Sequence, residues 1–174
     1  EHEDATEPGQ RGGELHAGRT RAGGRSCAYD ARMQVPPILY GTAWKEQATE
    51  ACVTAALEAG FRGIDTANQR KHYVEEAVGK AVQAAIRAGT VRRDELFLQT
   101  KFTHRDGQDH RLPYDERAPI GTQVEQSFQS SLEHFGADAL DSLVLHGPST
   151  RDGLGAEDIE VWRAMERIAT AGRV

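Results

Sequence analysis

The stretch Phe61-Arg62-Gly63-Ile64-Asp65 reads as a short strand, and the helical pattern downstream of it decides the fold. Val74, Ala77, Val78, Ala81, Val82, Ala85 and Ile86 recur at the three-and-four spacing of one helical face until Gly89 stops them. Leu96-Phe97-Leu98-Gln99-Thr100-Lys101 then returns to the short apolar run of a strand. The same alternation extends in both directions. Upstream, Ile38-Leu39-Tyr40 ends in Gly41-Thr42 and precedes a helix over about 46–59, where Cys52/Ala56 and Val53/Leu57 pair at i,i+4 before Gly60. Downstream, a helix with Val124, Phe128, Ser131, Leu132 and Phe135 inward closes at Gly136. A fourth strand, Leu140 to His146, precedes a helix over about 157–171 with Ile159, Trp162, Met165 and Ile168 inward.

Four strand–helix units without a hairpin signal predict parallel strands, which need crossover helices and are buried on both faces. The class is α/β. A (β/α)8 TIM barrel takes about 250 residues, so residues 35–174 read as its first four βα units, the N-terminal half, ending before the fifth strand. A flavodoxin-like open sheet of four or five strands is the rival. A nucleotide-binding open sheet is disfavoured, since no G-x-G-x-x-G follows the first strand.

Residues 1–34 carry six of the 18 glycines, and only Leu15, Tyr29 and Met33 as large apolar side chains. That is too little to offset the entropy of ordering such a length, so a disordered tail is expected. The whole chain of 174 residues has a formal charge of −6 and no Lys/Arg block, which argues against nucleic acid and membrane surfaces. No apolar run reaches the roughly 18 residues of a membrane span, and a cytoplasmic location is expected. Cys27 and Cys52 lack partners at ligand spacing; Cys52 reads as a buried small apolar residue, and no metal is expected.

In parallel α/β folds the chemistry gathers where strands end. Asp65 ends the second strand, Lys101 the third and His146 the fourth, with Gly41-Thr42 closing the first. Singly, a strand-end Asp caps a turn, a Lys is solvated and a His satisfies a carbonyl. Together on one rim they form a constellation. A lysine held by an aspartate favours the ionised form of a nearby phenol, and Tyr73, at the mouth of the second helix, is the available phenol. Such a tyrosine serves as a general acid toward an oxygen gaining charge, with His146 as a second hydrogen-bond donor. That set suits carbonyl reduction. The loop Thr103 to Pro119 lies on the same rim and reads either as a substrate-covering lid or as a solvated loop; His104 and His110 within it have weak metal spacing.

At these residues the sequence resembles the aldo-keto reductases. Gly41-Thr42-Ala43-Trp44-Lys45 looks like the first-strand segment of that family. Gly60-Phe61-Arg62-Gly63-Ile64-Asp65-Thr66-Ala67, followed by Tyr73, Glu75 and Val78-Gly79, is similar to its second block. Arg93 to Lys101 resembles the strand that carries the family's lysine, and Ser131 to Asp138 with Leu143-Val144-Leu145-His146-Gly147-Pro148 its fourth block. The resemblance implies an NADPH-dependent enzyme that reduces an aldehyde or ketone to the alcohol. It also implies a catalytic set of Asp65, Tyr73, Lys101 and His146. Gly41, Thr42 and Asp65 would then lie against the cofactor, and Trp44 would wall the substrate pocket or pack as a rim aromatic.

Three features depart from the family pattern, the least of them that Glu75 follows Tyr73 without the usual preceding Asn. Arg70 stands five positions after Asp65, where most members carry the tyrosine, and Tyr73 follows at eight, inside Gln69-Arg70-Lys71-His72-Tyr73. The strand expected after Ala171-Gly172-Arg173-Val174 is missing from this sequence. A half barrel with two open sheet edges is expected to self-associate or to take up a complementing C-terminal half. The alternative to the reductase is therefore a non-catalytic half barrel or regulatory binding subunit on the same scaffold.

Overall fold

A computed structural model describes residues 35–174. The expected tail over 1–34, with Cys27, lies outside the described residues. Four strands, β1 (Leu39–Gly41), β2 (Gly63–Asp65), β3 (Phe97–Phe102) and β4 (Ser142–Leu145), alternate with α1 (Thr49–Glu58), α2 (Glu75–Arg87), α3 (Ile120–Phe135) and α4 (Ala156–Thr170). The sheet order is β1-β2-β3-β4, with every pair parallel. A flavodoxin-like sheet would place its second strand at the edge. The sequential order is that of a barrel wall.

Strand parity divides the side chains between two layers. Ile64 pairs in register with Leu98, and Thr100 with Leu143; with Phe102 they face the helices, where Val53, Leu57, Val78, Val82, Val124, Phe128, Leu132, Phe135 and Val161 complete the core. The other parity puts Asp65, Gln99, Lys101 and Ser142 on the opposite, inner face. An apolar outer layer and a polar inner row thus come from one alternation.

The helical stripe expected from Val74 to Ile86 is largely inward, with Val78, Ala81 and Val82 buried, but Val74 precedes the helix and is exposed. The first helix begins as a 3-10 turn, Glu46–Ala48, before α1. Cys52 is half-buried rather than buried, because it sits beside Tyr40 at the margin of the core.

In α4 the expected inward face is rotated. Ile159 and Trp162 are 46% and 55% exposed, while Val161, Ala164, Met165 and Ile168 are buried. Asp158 causes the rotation. Its carboxylate, 1% exposed, accepts from the Ser149 N–H and His104 Nε2 at Oδ1, and from the Ser149 hydroxyl and Gly155 N–H at Oδ2. Burial pushes this carboxyl up, but those donors outweigh it and hold it down to about 2. The buried cap turns its own side of the helix to the core and the indole of Trp162 to solvent.

Candidate active site

The second strand delivers Asp65 to the rim, and the third delivers Lys101 two residues past the position paired with it. Lys101 Nζ donates to Asp65 Oδ1 at 2.6 Å and to the Thr66 carbonyl at 2.8 Å. The pair is mostly enclosed, with the Lys101 side chain 12% and the Asp65 side chain 23% exposed. Gln99 Nε2 also donates to Asp65 Oδ1 at 2.6 Å, and its Oε1 accepts from the Ser142 hydroxyl at 2.9 Å. A polar row therefore runs across the inner face from β4 to β2. Gln99 and Ser142 are additions to the residues that the sequence points to, although Gln99 shares the parity of Lys101 in an otherwise apolar run.

Tyr73 and His146 join this pair. Lys101 Nζ lies 5.3 Å from the centre of the Tyr73 ring, and the Tyr73 and His146 rings meet edge to face with centroids 5.8 Å apart. The aspartate, tyrosine, lysine and histidine expected from the sequence thus converge on one rim. Tyr73 is placed by the docking of α2 onto α3. The buried Glu75, two residues on, accepts from the Thr100 hydroxyl, from the Ser131 hydroxyl at 2.9 Å and from His134 Nδ1 at 2.8 Å. Its carboxylate ties α2 to both β3 and α3.

The field at Tyr73 differs from the expectation. Burial, followed by the Asp65 carboxylate, raises the phenol above its ordinary 10. Asp65 screens the ammonium that was expected to lower it. Burial and the nearby Lys101 charge push His146 below its ordinary 6.5, so its ring is neutral at pH 7.

Gly41 is exposed at the end of β1, and a Cβ added there would meet nothing within 4 Å. Thr42 is fully buried, with its hydroxyl donated to the Asp65 carbonyl at 3.0 Å, so it braces β1 against β2. Trp44 is 69% exposed. Trp44 and Glu46 both take positive φ, 60° and 48°, which bulky residues rarely adopt. This turn lays the indole over His72, with ring centroids 3.7 Å apart, and closes one side of a cleft of about 400 Å³ lined also by Tyr73, Lys71 and Arg111.

The loop after β3 packs down onto the domain. Tyr114 is buried against Phe102 and donates to the Thr103 carbonyl at 2.9 Å. His104 is spent on Asp158. Among the described residues no group of three or more His, Cys, Asp or Glu is arranged to hold a metal ion, and no helix is long and apolar enough to cross a membrane.

The Asp65–Lys101 pair supplies a prediction of its own. Asp65→Asn leaves an enclosed ammonium without its counter-ion, and a loss of about 2 kcal/mol is expected, less than for a fully buried pair. Urea unfolding checks it against Asp94→Asn, which removes the exposed Arg92–Asp94 pair and should leave the midpoint in place. Equal midpoints for the two variants would refute the claim.

A parallel βα wall thus carries a lysine–aspartate pair, a tyrosine and a histidine on its carboxyl rim. Residues 37–174 match the Aldo/keto reductase family, and the chain belongs to that family. It is 32% identical over 148 residues to a methylglyoxal reductase, DkgA, of Yersinia pestis, covering 84% of this chain and 44% of the relative. An aldo-keto reductase of Mycobacterium avium is 35% identical over 137 residues, covering 78% and 41%. Among solved structures, the Bombyx mori aldo-keto reductase AKR2E4 in complex with NADP superposes with a TM-score of 0.61 at 28% identity, covering 80% of this chain and 44% of that one. The chain spans less than half the length of these relatives, and corresponds to roughly the N-terminal part of the barrel.

Proposed function

We propose that this chain carries the acid–base half of a carbonyl reductase site, reducing an aldehyde or ketone to the alcohol with NADPH. The convergence of Tyr73 and His146 on the Lys101–Asp65 pair supports this reading most strongly. Bound NADPH would supply hydride to the carbonyl carbon. Tyr73, held in its protonated form by burial, gives its phenolic proton to the carbonyl oxygen. The neutral His146 donates a hydrogen bond to the same oxygen. Lys101, anchored by Asp65, keeps positive charge beside the phenolate left after transfer.

The rim residues fit the ribose end of such a cofactor. Gly41 leaves open space at the end of β1, and Asp65 uses only Oδ1 in its bonds to Gln99 and Lys101. Its second oxygen has no partner among the described residues and stands ready to accept from a ribose hydroxyl. The Thr66 hydroxyl beside it is buried without a partner among the described residues.

The alternative, a non-catalytic barrel segment that binds a partner, draws on a different observation. All four residues of β4 are half-exposed, and Ile159 and Trp162 of α4 stand in solvent. One assay separates the two readings. The purified chain is given NADPH and a reactive aromatic aldehyde, and cofactor oxidation is followed. Aldehyde-dependent oxidation supports the reductase; none, from a folded chain that binds NADPH, favours the partner-binding reading.

A further inference from the structure

We propose that Thr103 is a positioning residue that locks His146 in the tautomer carrying its proton on Nε2, so that the ring presents a donor to the oxygen of a carbonyl substrate. The proposal rests on the reductase reading and adds a residue to its site. Phe102 and Leu145 are the last paired positions of β3 and β4, and the His146 N–H donates to the Phe102 carbonyl at 2.9 Å. Thr103 and His146 are therefore neighbours one step past the sheet. Thr103 Oγ1 lies 2.9 Å from His146 Nδ1.

Packing fixes that hydroxyl. Thr103 is 6% exposed, and its carbonyl is held by the Tyr114 hydroxyl. Its methyl group lies so close to Gly107 that a Cβ there would meet Cγ2 at 2.6 Å. The Gly107 carbonyl is in turn fixed by Gln69 Nε2 at 2.8 Å. With the methyl seated on Gly107, Oγ1 is aimed at the imidazole. The loop 103–119, which reads in the sequence as a lid or a solvated segment, thus serves as the clamp of this side chain.

The direction of the bond is set by what each group has left. Among the described residues Nδ1 is the only partner of the Thr103 hydroxyl, and a buried O–H without an acceptor costs more than a bond of either sense returns. The hydroxyl therefore donates and Nδ1 accepts. With Nδ1 unprotonated, the neutral ring carries its proton on Nε2, the nitrogen without a partner among the described residues. A free tautomer equilibrium would spend part of its time with an acceptor there, facing the carbonyl oxygen with a lone pair.

The test is a long-range proton–nitrogen correlation spectrum of chain labelled with ¹⁵N-histidine, recorded above the titration of His146, whose signals are assigned by their loss in His146→Asn. Wild type is expected to show a single Nε2-protonated tautomer. Thr103→Val is expected to show averaged nitrogen shifts and a several-fold lower kcat with unchanged affinity for NADPH, and Thr103→Ser is expected to restore both. A proton on Nδ1 in wild type, or shifts in Thr103→Val identical to wild type, would overturn the proposal. If the valine variant does not fold, the wild-type and serine spectra still decide the question. A locked tautomer in a chain without turnover upholds the positioning role and refutes the reductase reading, so the two fail separately.

Discussion

Tyr73→Phe is expected to lower kcat for carbonyl reduction by about 10²- to 10⁴-fold, the range over which a positioned general acid contributes, while leaving the fold and NADPH affinity unchanged. Besides the Lys101 ammonium, which is bonded to Asp65 and the Thr66 carbonyl, two groups on the rim could hand a proton to the carbonyl oxygen. His146 is pushed below its ordinary 6.5 by burial and Lys101, so at pH 7 its ring is mostly neutral and imidazolium is the minor form. Tyr73 is raised above 10 by burial and by Asp65, so its acid form is complete through the neutral range. These two shifts give the pH dependence its sign. An acid is needed protonated, and the rate limb owed to Tyr73 should fall only above pH 10, rather than in the neutral range that a lowered phenol would give. Loss of the hydroxyl removes no hydrogen bond within the described residues and keeps the ring against His146, so the thermal midpoint should move little. A Tyr73→Phe chain that retains more than about a tenth of wild-type kcat, well outside that range, would transfer the acid role to another group.

Much of this site is legible because a parallel sheet converts strand ends into a rim. Asp65, Lys101 and His146 can be placed together from the strand boundaries alone, and Tyr73 from its position before α2. What escapes is set by side-chain bonding that periodicity does not encode. Asp158 looks like a solvent-facing helix residue, yet four donors converge on it. Once it is buried, the inward face of α4 passes through Val161 and Ala164, and the equally periodic Ile159 and Trp162 turn out. Burial first and the Asp65 carboxylate second likewise reverse the expected direction at Tyr73, because Asp65, bonded to Lys101 at 2.6 Å, offsets the field of the ammonium. Gln99 carries a signal, its i,i+2 spacing from Lys101. Thr103 continues that parity one residue past the strand, but its role depends on Gly107 and Tyr114 from a loop without periodicity.

Gly79→Ala is expected to destabilise the chain by about 3 kcal/mol or more, at or beyond the upper end for added volume in a packed interior. Glu75, Gly79 and Gln83 recur at four-residue spacing on α2, and this stripe docks on the end of α3. Glu75 bonds Ser131 and His134; Gln83 Nε2 donates to the Phe135 carbonyl at 2.8 Å. Between them the helices touch backbone to backbone. A Cβ on Gly79 would stand 1.9 Å from the His134 carbonyl oxygen and 2.7 Å from its carbon. No rotamer change relieves such a clash, because the obstacle is main chain. The gain in helix propensity on replacing glycine, about 1 kcal/mol, is too small to offset it. For a domain of this size the loss corresponds to a fall of roughly 10 °C in Tm. Thermal unfolding checks the value, and a Tm equal to wild type would mean that α2 and α3 do not make this approach. The consequence reaches the site. Tyr73 directly precedes α2, so a helix pushed off α3 carries the ring away from Lys101 and His146. Folded Gly79→Ala protein below its Tm should therefore lose kcat as well as stability, whereas Gly89→Ala, whose Cβ meets nothing within 4 Å but whose φ of +72° disfavours alanine, should lose stability alone.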